Sequence, residues 1–218
     1  RKVFRELATI NFEESPPVMA RNIYRVIRDT IHVVDPYLDD KRRFNAFALN
    51  LLPEMQQRIR GRSDIFTDKV KLAIAANIID FGNYNDLSEK DVLTCFEKAL
   101  DTTIDTIAIK NLKQAVADAQ NILFLCDNTG EIVFDRFLIE QLPLEKITCV
   151  VRGAPVLNDA TMEDAEAVGL TKMVTVIDNG SDIPGTVLRD CSSQFYNAYE
   201  NADIVIAKGQ GNFETLNE

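Results

Sequence analysis

The stretch Ile122-Leu123-Phe124-Leu125-Cys126-Asp127-Asn128-Thr129-Gly130-Glu131 decides the fold. Its apolar half has no polar alternation, which predicts a short strand buried on both faces. Its polar half predicts a turn, and a helix is expected over 130–142. The pattern recurs downstream. Strands are expected at 147–151, 173–177 and 203–207, with helices at about 159–168 and 185–200 between them. Apolar strands joined by helices form a parallel sheet covered on both faces. We therefore read an α/β fold, a doubly wound and mainly parallel sheet with helices on both sides. Ligands of such sheets bind beyond the carboxyl ends of the strands.

Upstream the texture is helical. Ser15-Pro16-Pro17 is a helix start, followed by Val18, Ile23, Val26, Ile27 and Ile31 at helical spacing. Asp39 or Asp40 caps a second helix through Phe44, Phe47, Ala48, Leu51 and Leu52, with Pro53 as a kink and Gly61 as its end. A third opens at Ser63-Asp64 and stops at Gly82, and Ser88-Glu89-Lys90-Asp91 resembles a capping box for a fourth. A short strand at 102–109 and a helix at 110–119 complete this half. The expected organisation is a helical region over 1–115 and an α/β ligand-binding region over 116–218.

Composition narrows the function classes. The 218 residues are 46% hydrophobic and 27% charged, as in globular chains, with a net charge of −10. An acidic body repels phosphate backbones, which argues against nucleic-acid binding and makes any anion site a local exception. No apolar run approaches the ~18–20 residues that span a bilayer. Arg1-Lys2-Val3-Phe4-Arg5-Glu6 has no apolar stretch after it, so it does not read as a signal peptide. With no initiator Met and no closing element after Glu214, the chain is expected to be a piece of a longer protein. Cys95, Cys126, Cys149 and Cys191 form no CxxC pair, so reduced thiols in a cytoplasmic protein are expected.

The chemistry collects at the strand ends. Asp127-Asn128 follows the first strand and offers a carboxylate and an amide oxygen, hard donors suited to Mg²⁺ or Mn²⁺. Taken alone the pair reads as a turn and a cap for the helix at Gly130. Asp159 at the end of the next loop adds a second anionic donor and favours the metal. The single His, His32, leaves no His-rich zinc site. Lys208-Gly209-Gln210-Gly211-Asn212 reads as an anion loop: glycines allow close backbone approach and Lys208 adds a charge. Arg152 holds either a phosphate or one of the many acids. Asn158 either orients a ligand or caps the helix at Asp159. Glu131 is either a base one contact away from the metal or a favourable first-turn charge, and Asp178 has a supporting place at its own strand end.

These motifs carry a resemblance. Asp127-Asn128-Thr129-Gly130-Glu131, Arg152-Gly153-Ala154-Pro155 with Asn158-Asp159-Ala160-Thr161, and the run from Ala202 through Lys208-Gly209-Gln210-Gly211-Asn212-Phe213-Glu214 resemble the damage-control phosphatase family. Asp35-Pro36-Tyr37, Lys41, Asn45 and 76–82 resemble its archaeal and bacterial branch. The resemblance implies metal ligands at Asp127, Asn128 and Asp159. It implies substrate contacts from the same residues and from the loop Lys208, Gly209, Gly211 and Asn212, with Arg152 and Asn158 as further candidates. It implies phosphatase action on small phosphorylated metabolites such as sugar phosphates, with Mg²⁺, Mn²⁺, Co²⁺ or Ni²⁺ as cofactor. The chain departs from the branch in having no N-terminal CxxC, in stopping before a closing strand with a further Lys, and in Ala76 where Gly is common.

The expected mechanism has the cation draw charge from a phosphoryl oxygen while Lys208, Arg152 and backbone near Gly211 neutralise the others. The nucleophile is either a water assisted by Glu131 or Asp127 itself. A haloacid-dehalogenase-type phosphatase is excluded, because Thr129 stands where its second Asp is needed. A non-catalytic sugar-phosphate or nucleotide binder and a helical interaction module are the rival classes. A homo-oligomer is permitted and no nucleic-acid or membrane partner is expected.

Overall fold

In the computed structural model of the chain, residues 1–9, 13–78 and 89–217 are described. The helical region holds α1 (Lys2–Thr9), α2 (Pro16–Ile31), α3 (Leu38–Ile59), α4 (Ile65–Ala75), α5 (Glu89–Asp101) and α6 (Thr106–Asp118). The short α1, which the spacing does not predict, packs on α2. Proline in the first turn starts α2 because its missing N–H has no helical partner to lose. Along α3 the residues Phe44, Ala48, Leu51, Met55 and Ile59 fall on one buried face, and Pro53 is accommodated inside the helix. Asp64 caps α4 by accepting from the Thr67 amide at 3.1 Å. A single 3₁₀ turn, Ala76–Ile78, follows α4. The expected stop at Gly82 and the Ser88 end of the expected capping box lie outside the described residues.

The segment expected as a strand at 102–109 is a loop over 102–105 followed by the first turn of α6. Its β-branched residues favour a strand locally, but the Asp105 side chain accepts from the Ile107 and Ala108 amides at 2.8 and 3.2 Å and nucleates a helix instead.

The second half is a mixed α/β layer: β1 (Ile122–Leu125), α7 (Glu131–Ile139), β2 (Ile147–Val151), α8 (Met162–Ala167), β3 (Thr175–Asp178), α9 (Ser193–Glu200), β4 (Ile204–Ala207) and α10 (Gln210–Leu216). All strands are parallel, in the order β3-β2-β1-β4. Several expected boundaries shift. The 159–168 helix starts at Met162, because the Thr161 amide and hydroxyl both donate to Asp164 at 2.8 Å. The 185–200 helix is a 3₁₀ turn followed by α9, with Ser192 capping at the Phe195 amide. β3 begins two residues late, since Met173 closes the preceding turn. The expected loop after Lys208 is the start of α10.

Burial explains the apolar texture of β1. Ile122, Phe124 and Cys126 face a core built with α3, α4, α5 and α7, whereas Leu123 and Leu125 face Phe195 of α9. The first of these clusters runs from Phe44 in the helical region to Val174 before β3. The four cysteines are free thiols, Cys126 and Cys149 being buried. No helix among the described residues is long and apolar enough to cross a membrane.

Strand order places the ligand crevice. From β1 the chain moves outward to β2 and β3, then returns to β4 on the other side of β1. The winding therefore reverses between β1 and β4, and sheets of this kind bind ligands beyond the carboxyl ends at such a point. Asp127 and Lys208 follow those two strands.

Candidate active site

Three segments meet at this crevice. The turn after β1 and the loop before α8 are joined through backbone. Thr129 donates to the Asn158 carbonyl at 2.9 Å, and Ala160 donates to the Asp127 carbonyl at 2.7 Å. Asn128 and Asp159 form an isolated antiparallel bridge. The third segment, between β4 and α10, closes over Asp127. Gly209 has φ 83°, and a Cβ there would overlap the Asp127 carboxylate.

Arg152 unites the two aspartates. It is 2% exposed, and its Nε donates to Asp159 at 2.5 Å while Nη2 reaches Asp127 Oδ1 at 3.4 Å. Its Nη1 donates to Asn212 Oδ1 at 3.0 Å. Of the two readings open for Arg152, the geometry selects the ion pair. Each aspartate spends one oxygen on the guanidinium, so Asp127 Oδ2 and Asp159 Oδ1 lie outside that contact. Burial pushes the Asp127 carboxyl well up, and the neighbouring Asp159 and Glu131 push it further against the pull of Arg152 and Lys208. Burial also raises Asp159, with Arg152 opposing.

The orientation of the Asn128 amide follows from its neighbours. Its Nδ2 donates to Asp127 Oδ2 at 2.9 Å and to Glu131 Oε2 at 3.4 Å. Two carboxylates accept the NH₂ group, so the amide oxygen is turned away from both. Asp127, Asn128 and Asp159 thus supply two carboxylates and an amide oxygen. Among the described residues no three His, Cys, Asp or Glu side chains form a ready-made metal cluster.

Glu131 is buried at the start of α7 and held from several sides. Lys208 Nζ contacts its Oε1, and exposed Asn77 donates to Oε2 at 3.1 Å. Lys208 also reaches Asp135 Oδ1 at 2.8 Å and the Ala73 carbonyl at 2.9 Å. The three donors of the ammonium are thereby spent within the protein. In this arrangement Lys208 offsets two buried acids, where the sequence reading expects it to neutralise phosphate oxygens. Burial would push the ammonium down, but Asp135 and Glu131 outweigh that and hold it charged. Asp135 is fully buried with its Oδ2 unpartnered, and burial raises its carboxyl to about 7 although Lys208 pulls it down.

Two further expectations change. Asn212 is fully buried, bonded to Arg152, Thr186 and the Cys126 and Lys208 carbonyls, so it braces the crevice rather than lining it. Gly211 lies where a Cβ would run into the Pro184 carbonyl, so its role is close packing of α10 on that loop. Asn158 sits beside the aspartates through its carbonyl but does not cap α8, since Thr161 does. Asp178 is taken up in its own turn, accepting from the Gly180 amide at 2.9 Å.

Sequence reading missed Asp135 and Asn77. The signal for Asp135 is its place in Glu131-Ile132-Val133-Phe134-Asp135, a carboxylate one helical turn after Glu131 in an otherwise apolar run. Asn77 lies in the 76–82 run that carries part of the resemblance, but nothing in that run assigned it a place at the site.

Gly209→Ala tests the close approach. This backbone region is close to glycine-only and a side chain there costs of order 1–3 kcal/mol. We expect that loss in chemical denaturation together with displacement of Asp127. A variant as stable as the parent would show that the β4–α10 segment does not seat Asp127.

A family model described as the damage-control phosphatase ARMT1-like domain matches residues 1–218. An uncharacterized protein of Methanocaldococcus jannaschii is 36% identical over 213 residues, covering 93% of this chain and 68% of its own length. A damage-control phosphatase of Pyrococcus horikoshii is 36% identical over 187 residues, 84% of this chain and 63% of that one. Another from Archaeoglobus fulgidus is 31% identical over 207 residues, 92% of this chain and 70% of that one. The crystal structure of a DUF89 family protein from Pyrococcus horikoshii superposes with a TM-score of 0.81 at 32% identity. It covers 99% of this chain and 75% of that one. The chain thus spans about two thirds of the length of these curated relatives.

Proposed function

The chain belongs to the family of ARMT1-like damage-control phosphatase domains, and from that premise we propose that it is a divalent-cation-dependent phosphatase. Its substrates are small phosphorylated metabolites, sugar phosphates among them, bound at the crevice beyond β1 and β4. One observation carries this reading. Four carboxylates, from Asp127, Glu131, Asp135 and Asp159, are gathered around two cations, Arg152 and Lys208. Ionising all four acids leaves a surplus of two negative charges that burial resists, raising Asp127, Asp135 and Asp159, and that a divalent cation would offset.

The donors fit such an ion. Mg²⁺ and ions like it are held by one or two carboxylates and complete their shell with waters and substrate phosphate. Asp127, Asn128 and Asp159 would hold it, with the Asn128 oxygen presented by the two acids that accept its NH₂. The bound ion supplies Lewis-acid charge stabilisation to a phosphoryl oxygen. Both Asp127 oxygens are engaged, by the Asn128 amide and by Arg152, which favours Asp127 as a cation holder over Asp127 as the nucleophile. In this reading water is the nucleophile and Glu131 takes its proton. The new P–O bond forms as the ester P–O bond breaks, the departing alkoxide takes a proton from solvent water, and Glu131 returns to solvent the proton it took. Lys208 keeps Glu131 in place and Asn77 orients it. Phosphoryl transfer depends on this kind of positioning and charge placement.

The test is a panel of phosphorylated metabolites assayed with Mg²⁺, Mn²⁺, Co²⁺ and Ni²⁺. Phosphate release is expected with at least one of these ions, to stop on chelation and to return when the ion is restored. Metabolite binding without turnover under every metal would overturn the enzyme in favour of a binding protein.

A further inference from the structure

We propose that Asn45, contributed by the helical region, is a positioning residue that fixes the spacing between the two ligand-bearing segments and thereby the size of cation the site accepts. The proposal rests on the divalent-cation reading above.

Asn45 lies on α3 with 3% exposure, and its side chain bridges two elements. Its Oδ1 accepts from the Gly130 amide at 2.8 Å, inside the turn that carries Asp127 and Asn128. Its Nδ2 donates to Asp164 Oδ1 at 2.8 Å, in the first turn of α8 just beyond Asp159. The other Asp164 oxygen accepts from the Thr161 amide and hydroxyl, which ties α8 to the Asp159 loop. One turn earlier on α3, Lys41 Nζ lies 3.1 Å from Asp164 Oδ2 and 3.2 Å from Asp35 Oδ2, so the charge of Asp164 is balanced in the interior. α3 packs on both α7 and α8.

A rigid helix therefore grips both segments through one amide whose donor and acceptor ends are both used. The backbone bonds at Thr129 and Ala160 join the same segments nearer the crevice. The bridge at Asn45 is a side-chain strut on the far side of the turn, and it limits how far the segments can hinge apart. Cation choice is sensitive to such slack. Mg²⁺ demands oxygens at about 2.0–2.1 Å, whereas Ca²⁺ accepts about 2.3–2.6 Å in looser geometry. Removing the strut is expected to penalise Mg²⁺ more than Ca²⁺.

The measurement is calorimetric binding of Mg²⁺ and of Ca²⁺ to the metal-free full chain, with thermal unfolding recorded alongside. For Asn45→Ala we expect Mg²⁺ affinity to fall about 10- to 100-fold, the range seen when groups that hold metal ligands in place are removed. Ca²⁺ affinity falls less, so the ratio of the two narrows. A partner-exchange variant, Asn45→Asp with Asp164→Asn, keeps the net charge. The new carboxylate accepts from the Gly130 amide and from the new amide at position 164, whose oxygen takes over the Thr161 and Lys41 contacts. That double variant is expected to recover the parental ratio, while either single change faces like groups toward each other and does not.

A lowered melting temperature with an unchanged Mg²⁺-to-Ca²⁺ ratio would make Asn45 merely structural and overturn the proposal. If Asn45→Ala fails to fold, the partner-exchange variant decides: a ratio equal to the parent supports the strut, and a different one overturns it. Parent protein that binds neither ion overturns the cation reading and this proposal with it. That outcome is distinct from failure of the strut, in which the parent binds normally.

Discussion

Asp127→Ala is expected to lower kcat/KM for phosphomonoester hydrolysis by about a thousandfold or more, roughly 4 kcal/mol of transition-state stabilisation. In the proposed site the carboxylate would hold the cation, and it anchors the Asn128 amide and meets Arg152, so its loss removes charge and positioning together. The stability of the metal-free protein should move the other way. Burial, then Asp159 and Glu131, disfavour the ionised Asp127 carboxyl. Deleting it relieves that crowding while Arg152 keeps its shorter bond to Asp159. The expected pair of results is therefore lost turnover with an unchanged or raised melting temperature in chelator, as when a site trades stability for function. Steady-state kinetics and thermal unfolding check both. Activity within tenfold of the parent, in a variant that no longer binds the cation, would remove Asp127 from the machinery.

Arg152→Met should have the largest effect on stability. The guanidinium is buried between Asp127 and Asp159 and also holds Asn212, so one side chain joins the ends of β1 and β2 to α10. Removing one member of a buried ion network leaves the others uncompensated and costs about 3–5 kcal/mol. The charge surplus at the crevice then grows by one. A divalent cation should bind the variant more tightly relative to its metal-free state and recover part of the loss. At a hundredfold excess over Kd, binding contributes about 2.7 kcal/mol. Urea unfolding with chelator and with saturating Mn²⁺ separates the two contributions. Equal midpoints for variant and parent in chelator would show that Arg152 is not the charge that holds the aspartates.

Both results depend on contacts between residues far apart in sequence, and the sequence exposes such contacts unevenly. The apolar runs of β1 and β2 were legible because a strand covered on both faces needs no polar positions. The strand-end placement of Asp127, Asn128 and Asp159 followed, since a parallel sheet brings all carboxyl ends to one edge. The segment 102–109 misled because β-branched residues weigh toward a strand, while one cap at Asp105 settles the helix. The partners of Lys208 were hidden for a different reason: beside two glycines a lysine reads as an anion ligand, and nothing adjacent in sequence reveals the acids it meets from α7.

The sequence by itself determined the kind of sheet, the edge at which chemistry collects and the residue types available there, because these follow from local periodicity and the geometry of parallel strands. Only the tertiary structure decided how charge is shared: that Arg152 serves Asp127 and Asp159, that Lys208 serves Glu131 and Asp135, and that Asn45 reaches from a helix to brace the turn. The physical reason is that burial forces each charged or polar group to find a partner at hydrogen-bond distance, and which partner is nearest is settled by packing between elements, not by the order of residues along the chain.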